Sequence, residues 1–437
     1  MMRSNLFLIL MFGVSRVFAQ TETPVYNLET IIDKILANNF EVKSISYDVE
    51  ITENAATKGN AGMLPNVNLN AGSNYSNNNT ELKFAGGIPS ANVSGAQSTG
   101  YNTSIGLNYT IFNGFARLNN YEKLKLNHDL SEAQLRLTLE NAVISAIGLY
   151  LDMAKLQMDI DALQQNLKIS HTRLNRAELA SQFGTTNSLA VLNARVDLNT
   201  DSVNLLNAKN QLATIKRQIN YLMGEVISTD FSVNNQINLT DNLSLSNVLE
   251  GSQNNSVALI LAKLRTEAAE IDENLAKANT YPTINFTSSY GLNASQNGAG
   301  IILEQRNLGF SAGLNVTMPI FTGGRTKIAM QNAALSLEKS NTQLAQNQLL
   351  INKEVYDYWA NYQYFMQLLT IERENIKTAE LNLKRTEEAY KLGQITSVEY
   401  RQAQLGLLSA QNRINAALIN IKKAEYQLLR LKGDLVK

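Results

Sequence analysis

The chain has 437 residues, and its 38 Lys and Arg balance 38 Asp and Glu, so its formal net charge at pH 7 is zero. With no basic tail or acidic run, that balance excludes recruitment of nucleic acid or of an acidic partner by bulk charge. Cysteine is absent, which excludes disulfides, thiol chemistry and a lipidated cysteine. Five prolines and one tryptophan, among many Asn, Gln, Ala and Leu, favour long helices with few breaks.

Residues 1–19 read as a sorting sequence. Arg3 supplies the positive start, residues 6–14 the apolar core, and Val17-Phe18-Ala19 a small-residue cleavage site before Gln20. No other run reaches the ~18 apolar residues that a spanning helix needs. An exported chain without a lipid anchor is secreted, periplasmic or inserted as a β-barrel.

Residues 28–63 read as helix and lead into two segments that alternate with period two. Val67, Leu69, Ala71 and Tyr75 alternate with Asn66, Asn68, Asn70 and Asn74. Tyr101, Ile105, Leu107, Tyr109 and Ile111 alternate with Asn102, Ser104, Gly106, Asn108 and Thr110. Each is about ten residues long, enough for a tilted strand to cross a bilayer. The intervening residues 81–100 read as a surface loop. A proline-free helix is expected over 117–181, with Leu156, Ile160, Leu163, Leu167, Leu174 and Ala177 at coiled-coil spacing. It breaks at Phe183-Gly184-Thr185, and a shorter helix returns to Gly224. Residues 224–244 read as an irregular connector with room for a short strand at 231–233.

Everything then happens again. Gly184, Ser188, Ala194, Leu198, Ala208, Leu222 and Gly224 recur 209 positions later as Gly393, Ser397, Ala403, Leu407, Ala417, Leu431 and Gly433. A helix over 245–279 precedes two more alternating segments. Ile284, Phe286, Tyr290 and Leu292 face away from Thr283, Asn285, Thr287, Ser289 and Asn293; Leu308, Phe310, Leu314 and Val316 face away from Asn307, Ser311, Asn315 and Thr317. Residues 296–305 read as a loop. A second long helix over 325–391 carries Val355, Trp359, Tyr362, Met366, Leu369, Ile376 and Leu383 at heptad spacing and breaks at Leu392-Gly393-Gln394. The organisation expected is a sorting sequence (1–19), a first repeat (20–223), a connector (224–244) and a second repeat (245–437).

Each strand has one apolar face with Tyr and Phe and one neutral wet face of Asn, Ser, Thr and Gly. A membrane barrel wants that pairing, with lipid outside and water inside. Four strands cannot close a barrel, and open edges cannot sit in lipid. Two copies would give eight strands with a filled interior; three would give twelve and a lumen. The expectation is a trimer whose helices follow the same axis as a tube.

The doubled order of features resembles the TolC family of outer-membrane efflux ducts over nearly the whole mature chain. The features are the tandem halves, the strand entries Leu64-Pro65-Asn66-Val67 and Tyr281-Pro282-Thr283-Ile284, and the junctions Ile111-Phe112-Asn113-Gly114 and Ile320-Phe321-Thr322-Gly323. The helix-tip glycines Gly184 and Gly393 and the terminal Leu-x-Gly complete them. The resemblance implies an α+β membrane protein: a trimeric, twelve-stranded β-barrel, four strands per chain, continuous with a long α-helical barrel. It implies an outer-membrane location with the helices in the periplasm. Its partners would be lipid, a periplasmic adaptor (membrane fusion protein) and an inner-membrane transporter of a tripartite efflux or type I secretion system. It further implies a periplasmic gate at Tyr390, Glu399 and Gln402, with Gly184 and Gly393 as the helix-tip turns. Glu399 matches the family's acidic position in charge, but Gln402 and Ala190 depart from acidic positions and Ile395 from a basic one, so the entrance is less acidic than the family type. A periplasmic coiled-coil adaptor is the alternative, but it needs a β-rich domain at the hairpin tip, where this chain has tight turns.

Other signals reduce to structure. Gly323-Gly324-Arg325-Thr326-Lys327 could cradle phosphate, yet Asn113-Gly114-Phe115-Ala116-Arg117 repeats it at the equivalent junction, which favours a strand-to-helix turn. His128 and His171 lie on long helices without ligand clusters, and no catalytic, cofactor or metal site is expected. The aromatic run Tyr356, Tyr358, Trp359, Tyr362, Tyr364 and Phe365 reads as helix packing.

Overall fold

Four glycines end four helices in the same way. In the computed structural model, which describes residues 24–87, 89–235, 237–239 and 243–435, Gly184, Gly224, Gly393 and Gly433 all sit in the left-handed region, with φ of 69, 65, 71 and 82°. At each, the glycine N–H bonds three residues back and the next N–H five residues back, as in Gly184 to Ser181 (3.1 Å) and Thr185 to Ala180 (2.9 Å). This double bond satisfies carbonyls that a helix end leaves open, and a Cβ is penalised there. The expected sorting sequence, residues 1–19, lies outside the described residues.

These turns terminate α3 (Ala116–Gln182), α4 (Ser188–Leu222), α7 (Arg325–Lys391) and α8 (Ser397–Lys432). The first half opens with β1 (Val25–Tyr26), α1 (Leu28–Asn38), α2 (Phe40–Ala55), β2 (Asn66–Leu82) and β3 (Ala91–Asn113). After β4 (Ser232–Val233), the second half opens with α5 (Leu245–Asn255), α6 (Val257–Ala278), β5 (Thr283–Asn297) and β6 (Glu304–Thr317). Both halves therefore run helix, helix, strand, strand, long helix, helix, and α3 and α7 each have 67 residues.

Three expectations need correction. The helices expected over 28–63 and 245–279 are each broken in two. Asn39 leaves the helical region and its side chain accepts from the N–H groups of Glu41 and Val42 at 3.0 and 3.1 Å, restarting the chain as α2. Ser256 does the same by backbone geometry alone. The strands are also longer than the ten residues expected: β2 reaches Leu82 and β3 begins at Ala91, so the loop is 83–90 rather than 81–100, and the second loop is 298–303. Polar residues there pair as strand because backbone partners, not hydropathy, decide pairing beyond a bilayer. Finally, α3 contains an 18-residue window apolar enough to cross a membrane by composition, but half of it is buried, as a packed helix seam is.

The chain forms two compact units. One takes the chain up to Ala37, Ala146–Asn238 and Leu369–Ile419. Here Ile160 packs with Leu205 and Ala208, and Leu174 and Ala177 pack with Ala194, the seam between α3 and α4 that the heptads anticipated. Leu383, Tyr400 and Ala403 form the matching seam between α7 and α8. The short strand expected at 231–233 is β4, paired in parallel with β1, and the fully buried Phe231 stacks on Tyr26 at 5.2 Å.

The other unit takes Asn38–Ser145, Leu239–Leu368 and the chain from Asn420. Its core joins Val248, Val355, Leu428 and Leu431, against which Trp359 and Tyr362 stack at 5.7 Å. The aromatic run is thus partly core, while Tyr356 and Tyr364 remain exposed. This unit also holds an antiparallel sheet in the order β2-β3-β5-β6.

The cap geometry makes a graded prediction. At Gly184 nothing stands in the way of an added Cβ, so Gly184→Ala carries only the left-handed penalty, ~1–2 kcal/mol. At Gly433 the Cβ would also come within 2.7 Å of the Asn255 carbonyl oxygen. Denaturant unfolding should therefore rank Gly433→Ala as the more damaging change, and the reverse order would refute the packing argument.

Candidate functional site

Two regions carry the chemistry, the helix tips and the sheet, and each is built by its own unit. At the second tip, Thr396 and Glu399 form a reciprocal cap on α8. The Glu399 carboxylate accepts from the Thr396 N–H at 2.7 Å and hydroxyl at 2.8 Å, while the Thr396 oxygen accepts from the Glu399 N–H at 3.2 Å. The backbone N–H and then the hydroxyl of Thr396 hold the Glu399 carboxyl below its usual range. The first tip uses Asn187 instead, accepting from Ala190 N–H at 3.1 Å, and has no reciprocal carboxylate because Ala190 stands there.

Tyr390 stacks on the buried Tyr400 at 5.0 Å, with the Arg176 guanidinium 5.6 Å from its ring centre. Burial, the largest cause, pushes the Tyr400 hydroxyl above the usual phenol range. Glu399 and Gln402 are exposed and share a groove of about 450 Å³ with Asn382, Arg385 and Thr386. Tyr390 instead lines a different groove, with Arg176, Leu189 and Val398. The three expected gate residues thus stand within one tip but not in one cluster.

Sequence reading missed the polar cluster behind this tip. Arg401 grips Asp201 with two bonds of 2.7 and 2.8 Å, and the Ser170 hydroxyl donates to the same carboxylate at 2.5 Å. Gln404 donates to Ser170 at 2.8 Å and to the Asn166 carbonyl at 2.9 Å. Arg173 donates to Gln404 at 3.1 Å and to Asp197 at 2.7 Å. Asp201, Arg173, Gln404 and Ser170 are all at most 3% exposed. The signal was present: Asp201 falls between Leu198 and Leu205 on the apolar stripe of α4, where a charge needs a partner.

Between two register shifts, near Asn78 and Thr110, the sheet keeps its large apolar residues to one face and its asparagines to the other. In register across β2, β3, β5 and β6 stand Asn66, Asn108, Thr287 and Gly313, and further along Gly72, Asn102, Asn293 and Asn307. The opposite face aligns Leu69, Ile105, Tyr290 and Phe310, all large and exposed in the single chain. From Ile284 to Ala294 that face spans about 25 Å once strand rise and a barrel tilt are applied, the height of an apolar membrane band. Tyr109 and Phe286 pair near one end of it and Tyr101 stands at the other, as interfacial aromatics do. Both strand-to-helix junctions use two left-handed residues, Gly114 and Phe115 in the first copy and Gly323 and Gly324 in the second. Phe115, the only non-glycine so placed among the described residues, packs edge-on to Phe112 at 5.4 Å. His128 lies 3.4 Å from Glu132, and His171 lies 3.3 Å from Asn175, each one turn along α3.

A sheet with a lipid-ready face, two tandem helical hairpins and tight helix tips defines a duct-forming outer-membrane protein. The comparisons agree: residues 31–225 and 248–434 both match the outer membrane efflux protein family, and the chain belongs to that family. It is 23% identical over 346 residues to the outer membrane efflux protein BepC of Brucella suis, covering 77% of this chain and 74% of the relative. It is 20% identical over 413 residues to the outer membrane protein TolC of Vibrio cholerae, covering 94% and 91%. The Campylobacter jejuni CmeC outer membrane channel has the same fold, with a TM-score of 0.81 at 13% identity over 99% of this chain and 94% of that one. The family is one of channels, set in the outer membrane with the helices in the periplasm. Both hairpins end in turns rather than in an inserted domain, so the adaptor alternative is not favoured.

Two outcomes test the tip chemistry. Asp201→Ala leaves the Arg401 charge without its bidentate partner, and loss of one member of such a pair costs ~3–5 kcal/mol; thermal unfolding should fall sharply, and replacing both with Leu should recover most of it. The Glu399 cap has its own pH signature. Because the folded value lies below the free one, its stabilisation is present above the ordinary carboxylate value and is lost as pH falls through the lowered one. Amide protection factors at the start of α8, taken relative to the intrinsic exchange rate at each pH, should fall on acidification in the parent chain, and a Glu399→Gln chain should show no such fall.

Proposed function

We propose that three copies of this chain form the exit duct of a tripartite efflux or type I secretion system, passing cargo delivered by an inner-membrane transporter through a periplasmic adaptor. The observation that carries this reading is the sheet, with one apolar face, one wet face and two unpaired edges, β2 and β6. Successive strands alternate in direction, so β6 of one copy meets β2 of the next antiparallel and the ring closes without a mismatch. Three sheets give twelve strands, wide enough to wet the asparagine face, and closure satisfies every edge amide in lipid.

The two repeats (20–223 and 245–437), joined at 224–244, supply the helical wall. The tips around Gly184 and Gly393 form the inner gate, with Tyr390, Glu399 and Gln402 at its surface. The Glu399 carboxylate already caps α8, so its part in gating is to hold the tip turn, while Tyr390 and Gln402 face the grooves beside it.

Cell fractionation and charge placement test the reading together. The protein should sediment with outer membranes as a trimer under mild detergent and conduct in planar bilayers. Ile105→Arg puts a charge near the middle of the lipid face, at ~2–4 kcal/mol per site, and should abolish trimer recovery. Asn108→Arg, on the wet face, should leave assembly intact. A soluble monomer, or equal tolerance of both changes, would sink the proposal.

A further inference from the structure

Between the rows of Thr317 and Gln305 the wet face of the sheet holds no charge. Among the described strand residues only Glu81, Glu304 and Arg306 are charged, and all three lie towards the loop ends. Glu304 pairs with Gln296 and Arg306 with Ala294, on the side opposite the asparagine rows. Between the rows of Thr317 and Gln305 the wet face is therefore made of Asn, Gln, Ser, Thr and Gly alone.

The amides also lie down. Asn74 is registered with Gly100, and Asn102 with Gly72. In each pair the asparagine occupies the space a Cβ on the glycine would need; a methyl on Gly72 would stand 2.5 Å from the Asn102 Oδ1. Two reciprocal pairs thus hold their amides along the wall rather than across the space in front of it. An amide offers a carbonyl to cations and an NH₂ to anions, with no net charge of its own. A ring of carboxylates or guanidiniums, by contrast, focuses potential and enriches one sign of ion.

Resting on the duct reading above, we propose that the membrane-crossing part of this channel is a charge-neutral amide sleeve. It passes cationic, anionic and uncharged hydrogen-bonding cargo alike, and discrimination by charge falls to other parts of the chain. The absence of cysteine makes a local test available. A single Asn108→Cys chain, assembled in membranes, is treated with a cationic and then an anionic methanethiosulfonate reagent, and the ratio of rates is compared with that of a free thiol.

The ratio should match the free thiol within about twofold and stay constant between low and high salt. Adding Asn102→Asp and Asn293→Asp should favour the cationic reagent by about tenfold at low salt, fading at high salt. If that double change impairs assembly, Asn307→Asp alone gives the same direction. A parent ratio displaced several-fold at low salt would overturn the neutral sleeve while leaving the duct intact, as would an aspartate variant with an unmoved ratio. If Asn108→Cys is inert while Leu107→Cys reacts, the face assignment and the duct reading fail together.

Discussion

Hydrocarbon offers no partner to a backbone amide. That constraint makes the four-stranded sheet the element on which the rest depends. Its two edges, β2 and β6, have no further strand beside them among the described residues, and in the proposed ring each is completed by the next copy. The alternation of wet and apolar residues then has to hold along every strand, since a slip of one residue would exchange the two faces. The register is unbroken across β2, β3, β5 and β6 apart from shifts near Asn78 and Thr110. The Thr110 shift lies beside the junction where β3 turns into helix, the place where a bulge re-aims the chain.

Duplication supplies the second constraint. Two copies of one hairpin need two copies of each turn, and the four left-handed glycines meet that need with identical hydrogen bonding. Divergence shows in the side chains around them. One tip is capped by Asn187, the other by the Thr396–Glu399 pair, and one junction uses Phe115 where the other uses Gly324. In the first case the change alters the charge of the tip. In the second, an aromatic contact with Phe112 offsets a backbone conformation that disfavours a side chain.

The cluster of buried Arg173, Asp201 and Gln404 with the part-buried Arg401 shows how the two repeats are joined near the tips. Apolar seams hold α3 to α4 and α7 to α8 but are tolerant of sliding. A carboxylate gripped by two guanidinium bonds and a hydroxyl is not, because any shift strands a charge in a dry interior. Register between hairpins is thereby fixed by the Arg401–Asp201 and Arg173–Gln404 contacts, while apolar side chains supply most cohesion within each hairpin and some between them, as Ile169 does against the α7–α8 seam.

Period-two alternation, heptad spacing and the 209-residue repeat were enough to place both long hairpins and all four strands of the sheet, because burial against lipid, water or a partner helix writes itself into spacing. The tight tips followed from Gly184 and Gly393, since only glycine is free in that backbone region. Three things were decided by tertiary structure. The breaks at Asn39 and Ser256 depend on caps whose residue types occur throughout the helices. The outer ends of β2 and β3 pair by backbone hydrogen bonds that leave no pattern in side-chain polarity. The Arg401–Asp201 grip joins residues 200 positions apart on stripes that look alike to the eye. Whether a charge on such a stripe is paired depends on which helix packs against it, and that is a property of the folded chain alone.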